Sequence, residues 1–463
     1  LAVPSTWRPC RGSCGRNPAT PSYRHENSIS LEYRLSVKYR HRVLALLATL
    51  SVITYLDRVC ISIAGPRIQN EFALTPEQWG LVTGAFAVAY ALFEIPSGYW
   101  ADKFGARAML VRIVLWWSLF TTATGFVSRL WSLVVVRFLF GAGEAGAYPT
   151  AATVIFRWFP AVERGRSFGV VLLSGQLGGA LAPLLIVPIQ ARFGWRASFY
   201  AFGLVGVCWS AAFWRWYRNT PQQKAGITAR ELAEIAAPVS PGAAPASTVH
   251  ALPWRAIAAN RSICALMGAT FGYLYAYYFF LFWLPTYLIR ERGFTENQTK
   301  LSALPFVLGM IANLAGGVAR DRATRRWGPT WGPRSVGLIG LGSAAAAVLA
   351  ALVSPSGYLA LVWLALCYGG ITFQQPTVFS TCVDIGKRYS GAVAGCINTA
   401  GALGGLLSSF IFGYLVQRFH SYDAVLVTMT VVLGAGAVLW LFIDATEELR
   451  TPGEPRMPGD LGA

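Results

Sequence analysis

Charge is scarce in this chain, and acid is the scarcer sign. Of 463 residues, 13% are Asp, Glu, Lys or Arg, with 21 acidic against 39 basic, about half the ~25% charged share of ordinary soluble domains. A mostly water-exposed globular class is excluded. Histidine is scarcer still: the four, His25, His41, His250 and His420, all fall in tails or at the ends of apolar runs. No imidazole stands at mid-membrane depth, so a proton carried there must ride on a carboxylate. The apolar runs hold no HExxH and no His/Cys cluster of metal-ligand spacing, so neither a membrane-embedded enzyme nor a metal or other cofactor is expected. Cys60, Cys208, Cys264, Cys367, Cys382 and Cys396 lie within apolar segments at no redox spacing, where a thiol acts as a small hydrophobe. Cys10 and Cys14 form a lone CxxxC in a polar tail, a weak signal for zinc or a disulfide.

Long apolar runs are abundant. Hydrophobic side chains make up 54% of the sequence and mean hydropathy is +0.46. Runs long enough to cross ~30 Å of hydrocarbon recur at 43–65, 79–101, 108–128, 131–157, 164–190, 196–217, 260–289, 298–320, 335–354, 357–383, 389–417 and 422–444. The expectation is an all-α polytopic membrane protein with twelve transmembrane helices, six on each side of a polar linker at 218–258. Residues 1–42, rich in Arg, Ser and Pro, read as a disordered tail before a six-helix bundle at 43–217; a second bundle occupies 259–446 and a tail 447–463. An Arg-rich, acid-poor leader also fits an organellar transit peptide.

The net charge of +18 does not point to nucleic acid, because the basic residues sit in short stretches between apolar runs. They gather before the first run (Arg34, Lys38, Arg40, Arg42), after the second (Lys103, Arg107), after the fourth (Arg157, Arg164, Arg166), in the linker, and after the eighth (Arg320, Arg322, Arg325, Arg326, Arg334) and tenth (Lys387, Arg388). All lie on one side of a twelve-helix chain, which places both termini and the linker in the cytoplasm.

The two halves echo one another. Gly175-Gln-Leu-Gly178-Gly179 and Arg192-Phe193 return 226 residues later as Gly401-Ala-Leu-Gly404-Gly405 and Arg418-Phe419. Gly98 and Asp102 share the four-residue spacing of Gly317 and Asp321. Such a duplication predicts two pseudo-symmetric bundles with a substrate cavity between them near the midplane. The GxxxG spacings are read as close helix packing.

Against this apolar background, Arg137 and Glu144 stand seven residues apart inside one run and therefore share a helix face. An ionised side chain at a bilayer centre costs roughly 2.5–3.5 kcal/mol on insertion scales. The face must therefore look toward protein or water. Asp57, Arg58 and Glu94 raise the same question in the first two runs. Burial favours a neutral carboxyl and a nearby guanidinium favours the charged form, so the proton follows whether the arginine is otherwise engaged.

Gly98-Tyr-Trp-Ala-Asp102-Lys103-Phe-Gly105-Ala-Arg107 resembles the signature between the second and third helices of the major facilitator superfamily. Tyr55-Leu-Asp57-Arg58, Tyr90-Ala-Leu-Phe-Glu94-Ile-Pro-Ser-Gly98, Arg137 to Pro149, and Phe282-Trp-Leu-Pro285-Thr-Tyr287 narrow the likeness to its anion:cation symporter family, which includes sugar-acid permeases and sialin-like organic anion carriers. The resemblance spans about residues 43–444. It implies a major facilitator fold and, by position, anion recognition by Arg58 and Arg137 and proton coupling by Asp57 and Glu144. Tyr90, Gln176 and Asn398 match polar cavity positions, and Gly98, Asp102, Lys103, Arg107 and Asp321 match gating positions. Glu94 replaces the Gln usual among sugar-acid permeases, and a local salt bridge is the first reading, an extra titratable group the second. From the residues themselves, Tyr273, Tyr277, Tyr278, Gln374, Gln375, Asn398 and Thr399 supply hydrogen-bonding groups for the opposing wall.

The expectation is a proton-coupled symporter importing an organic carboxylate, a sugar acid such as a hexuronate, aldonate or aldarate first. Its partners are a small organic anion, protons in preference to sodium, and the lipid bilayer, with no nucleic acid; a monomer in a bacterial inner membrane is expected, an organellar membrane being the alternative. The alternatives in function are an exporter or facilitator of another anion, such as an aromatic acid or phosphate, and a non-transporting receptor of the same fold.

Overall fold

The computed structural model describes residues 38–236 and 254–449, with the backbone alone at 95, 98, 99, 101, 102, 254 and 388. Cys10, Cys14, His25, Arg34 and His250 lie outside the described residues.

Helices account for nearly all of it. In the first half they are α1 (Tyr39–Glu71), α2 (Pro76–Phe104), α3 (Ala106–Thr124), α4 (Leu130–Glu144), α5 (Ala147–Trp158), α6 (Ala161–Phe193) and α7 (Trp195–Trp216). Short α8 (Ala229–Ala236) and α9 (Trp254–Ala259) follow, then α10 (Arg261–Phe282), α11 (Leu284–Arg290), α12 (Ala303–Leu352), α13 (Gly357–Gly386), α14 (Ser390–Phe419) and α15 (Asp423–Leu439). Nine stretches among the described residues are long and apolar enough to cross a membrane. One of them covers both expected spans 298–320 and 335–354, and α2 and α3 complete the expected twelve.

Local chemistry sets the breaks. α12 folds back at Gly328, whose φ of 82° and ψ of 173° leave the helical region. Glycine takes that positive φ without a Cβ clash, and Pro329 disfavours helical geometry in the residue before it. The fourth span divides between Glu144 and Ala147, and the seventh at Trp283, two residues before Pro285.

The duplicated glycines do matching work. A Cβ on Gly178 would strike the Val52 backbone of α1, and one on Gly404 the Phe271 backbone of α10. Each half thus packs its fifth span on its first at backbone distance.

Contacts between the halves gather on the side away from the linker. Arg67 Nε donates to the Glu296 carboxylate at 3.0 and 3.1 Å, Arg290 to Asn70 at 3.3 Å, Gln69 to Thr286 at 3.4 Å, and Trp79 Nε1 to the Phe282 carbonyl at 3.5 Å. Gly80 lies against Ser409 and Gly413. Toward the linker side, a Cβ on Gly165, Gly169, Gly391 or Gly395 would meet nothing within 4 Å. Among the described side chains no ion pair joins the two bundles on that side, so the molecule is sealed at one end and open at the other.

α1 begins four residues inside the stretch expected as tail. Arg40 is 4% exposed and bonds Glu163 and Glu234, each at 2.9 Å, while Lys38 reaches Glu234 at 2.6 Å. These bonds clamp α8 to the first half and hold the Glu234 carboxyl down at about 2, the Lys38 hydrogen bond contributing most. At the other end, the Leu449 backbone N–H donates to the Ile385 carbonyl at 2.9 Å, so the chain stays docked beyond 446.

Candidate functional site

Three helices carry the charged cluster. α1 supplies Asp57 and Arg58, with Tyr55 one turn back on the same face; α2 supplies Phe86 and Tyr90; α4 supplies Arg137 and ends at Glu144. Asp57, Arg137 and Glu144 are 2%, 1% and 0% exposed. Arg58 Nε donates to the Glu144 carboxylate, and its guanidinium lies 4.8 Å from the Tyr90 ring and 5.5 Å from that of Phe86. Arg137 is cradled by aromatics instead, 4.5 Å from Phe140 and 5.1 Å from Phe86, an arrangement that favours a desolvated cation.

The cluster is balanced but under-bonded. Among the described residues, Arg137 Nε and Nη2, Arg58 Nη2, Glu144 Oε2 and both Asp57 oxygens have no hydrogen-bond partner. Asp57 lies within electrostatic reach of Glu144 and Arg137. Buried charges left in this condition are expensive and respond strongly to any anion or proton that enters.

The facing wall joins the halves through side-chain hydroxyls. Tyr55 and Tyr277 share a hydrogen bond at 2.8 Å, and Tyr368 donates to Gln176 at 2.7 Å. The Tyr277 and Tyr368 rings stack at 5.4 Å. Asn313 donates to Gln375 at 3.0 Å. Tyr55 precedes Arg58 by one turn of α1, so the Tyr55–Tyr277 bond lies on the linker side of that arginine.

Several expected positions are placed elsewhere. Gln374 is fully buried against Gly340 of its own half, so it is withdrawn from the wall facing the cluster. Asn398 is exposed and forms no hydrogen bond with the described residues. Glu94 is half-buried near the charge of Arg58 but forms no ion pair with the described residues, so the expected salt bridge is not made there; Arg58 is engaged by Glu144.

The described members of the expected gating set, Lys103, Arg107 and Asp321, form no bond across the halves with the described residues. Arg107 bonds the Trp214 carbonyl, lies 4.1 Å over that ring, and offers its backbone N–H to Asn219 at 2.9 Å. It is thereby tied to its own bundle. Lys103 is exposed, lying 5.6 Å over the Phe104 ring. Asp321 is exposed at 3.9 Å from Arg320, which bonds Asp384 of α13 at 2.5 Å. The side chain of Asp102 and the single-hydrogen position of Gly98 lie outside the described side chains.

Some participants carried little sequence signal. Tyr55 was readable from its i, i+3 relation to Arg58, but nothing marked Phe86 or Tyr368 within their aromatic-rich runs. Conversely, Gly165-Arg-Ser167-Phe-Gly169 has the letters of a Gly-x-Ser-x-Gly hydrolase elbow. It lies inside unbroken α6 with Ser167 buried, not on the strand-to-helix turn that chemistry needs.

Comparison with known proteins agrees with this architecture. The profile of the Major Facilitator Superfamily matches residues 47–409. A probable sulfoacetate transporter of Cupriavidus necator is 34% identical over 90% of this chain and 97% of its own length. The hexuronate transporter of Bacillus subtilis is 32% identical over 80% of this chain and 87% of its own. A crystal structure of a bacterial homolog of the human lysosomal transporter Spinster, inward-facing and unoccupied, shares the fold with a TM-score of 0.67 at 20% identity, covering 88% of this chain and 95% of that one. The chain is a membrane transporter rather than an enzyme, and it belongs to the Major Facilitator Superfamily.

Proposed function

We propose that the protein imports a small organic anion together with protons by alternating access, with both termini and the linker on the cytoplasmic side of a bacterial inner membrane. The observation that carries this reading is the buried Arg58–Glu144 pair beside under-bonded Arg137 and Asp57, at the closed end of an opening between the halves. An anion entering from outside competes with Glu144 for Arg58. Bidentate pairing of the guanidinium with the ligand's carboxylate leaves Glu144 to take a proton, and Asp57 takes a second as the ligand's charge nears. With a monocarboxylate and two protons aboard, the cluster carries a formal +1 when the halves rock, and release inward lets Arg58 recapture Glu144 as the protons leave toward the cytoplasm.

A sugar acid is the first substrate class, supported by the hexuronate transporter relative and by hydroxyl-bearing Tyr55 beside Arg58, with Tyr277 and Tyr368 linked to it in turn. The 34% identical probable sulfoacetate transporter favours a second class, short sulfonate-carboxylates, whose two anionic ends suit two separate guanidinium groups. Proteoliposomes given labelled D-glucuronate, D-galactonate or sulfoacetate, with an inward proton gradient, a sodium gradient or neither, test the proposal. Concentrative uptake under the proton gradient alone is expected. Equal uptake under all three conditions would instead describe a facilitator.

A further inference from the structure

A cavity with a few polar side chains in a mostly apolar lining lies apart from the charged cluster, on the sealed side. It has a volume of about 330 Å³ and is lined by Arg67, Gln190, Glu296, Asn297 and Thr299 together with apolar side chains. Arg67 stands nine residues beyond Arg58 on α1, ~13 Å further along the helix axis.

The guanidinium of Arg67 is divided between two tasks. Nη1 donates to the Gln190 carbonyl at 2.6 Å, which anchors the group to α6. The Nε/Nη2 edge faces the Glu296 carboxylate, with Nε at 3.0 and 3.1 Å from its two oxygens. That edge is the one that takes a carboxylate through two parallel bonds.

The two partners are not held equally. The Glu296 side chain is 55% exposed at the start of a short 3-10 turn, whereas Arg67 is 28% exposed. Glu296 can swing into water while Arg67 stays fixed. Beside them, Gln190 is 4% exposed, and its amide nitrogen has no partner. Asn297, on the rim, also forms no side-chain hydrogen bond with the described residues. Unused donors thus flank an anchored guanidinium whose carboxylate is free to leave.

We infer that this cavity is a second anion site, taking the carboxylate or sulfonate of a small organic acid, with the ligand replacing Glu296 on Arg67. Because the Arg67–Glu296 pair joins the halves, the exchange also releases one of the ties that seal this side. The inference rests on the proposed transport of organic anions and adds to it a place where the cargo is held first.

The test reads occupancy directly in the full-length protein in proteoliposomes. Asn297→Cys is labelled with a membrane-impermeant maleimide, with the parent chain as background, in the presence of D-glucuronate or sulfoacetate. At least threefold slowing by one of the two is expected, lost in Arg67→Gln and weakened threefold or more in Gln190→Leu. Glu296→Gln, which removes the competing carboxylate, should lower the half-protecting concentration about tenfold. Protection must survive Arg58→Gln, although that change stops uptake; this separates failure of the outer site from failure of the transport scheme. Absence of protection, protection unchanged by Arg67→Gln, or protection abolished by Arg58→Gln would each overturn the inference.

Discussion

Replacing Glu144 with Gln removes the carboxylate from the buried pair and keeps its shape. In the native cluster, two guanidinium groups, Arg58 and Arg137, face two carboxylates, Asp57 and Glu144, for a formal charge of zero. The substitution leaves +1 in a buried setting and takes from Arg58 the only ion-pair partner it has among the described residues. Breaking a buried ion pair by deleting one member costs ~3–5 kcal/mol. An arriving carboxylate supplies the missing charge, and recovery of ~2 kcal/mol of that cost tightens anion binding roughly thirtyfold, since 1.4 kcal/mol is tenfold. Position 144 then takes no proton, so anion binding loses its pH dependence there. In proteoliposomes, exchange of labelled for unlabelled anion should persist, while accumulation under an inward proton gradient should fall below that of the native chain, with Asp57 as the proton carrier that is left. Size-exclusion profiles of the purified variant check that it folds. If Glu144→Gln concentrated substrate under the gradient as well as the native chain does, the coupling role of Glu144 would be refuted.

Other changes probe the scaffold. Gly178→Leu drives a side chain into the Val52 backbone and should cost more than the 1–3 kcal/mol of ordinary overpacking, read as loss of monodisperse protein. Gln374→Met should leave the KM for uptake within twofold, because Gln374 is buried against Gly340; a tenfold rise would return it to the substrate wall. The clamp on α8 should weaken in acid. Glu234, held down at about 2 against ~4.3 when unpaired, stabilises the docked helix above the upper value and loses that contribution as pH falls through the lower. Its side chain is 30% exposed, so solvent screening limits the effect to ~1 kcal/mol. Hydrogen exchange over 229–236 should accelerate between those pH values, and Glu234→Gln should show the faster exchange already at neutral pH.

The charged cluster was legible because hydrocarbon makes each ion costly: Asp57, Arg58, Arg137 and Glu144 stand out against apolar neighbours. Who pairs with whom was less so. Seven helical residues put Arg137 and Glu144 on one face but ~10 Å apart along the axis, and Glu144 finds its cation on α1. Gln374 and Gln375 show the limit of reading rotation. Adjacent helical positions differ by ~100°, and an identical pair gives no sign of which looks across the halves. The structure turns Gln375 toward Asn313 and Gln374 toward Gly340. The latch at Arg107 failed for another reason. Its motif has the letters for a contact between halves, but one sequence serves more than one conformation, and here the residue is folded onto Trp214.

The phenol pair Tyr55–Tyr277 sits where the open vestibule ends, and its oxygens belong to opposite bundles. Any visitor rich in hydroxyls meets atoms that bridge the two bundles, and can trade one bridging bond for bonds of its own. Cargo then serves as a key as well as a passenger, while a plain hydrocarbon acid, lacking such groups, would enter the vestibule and leave the bolt in place.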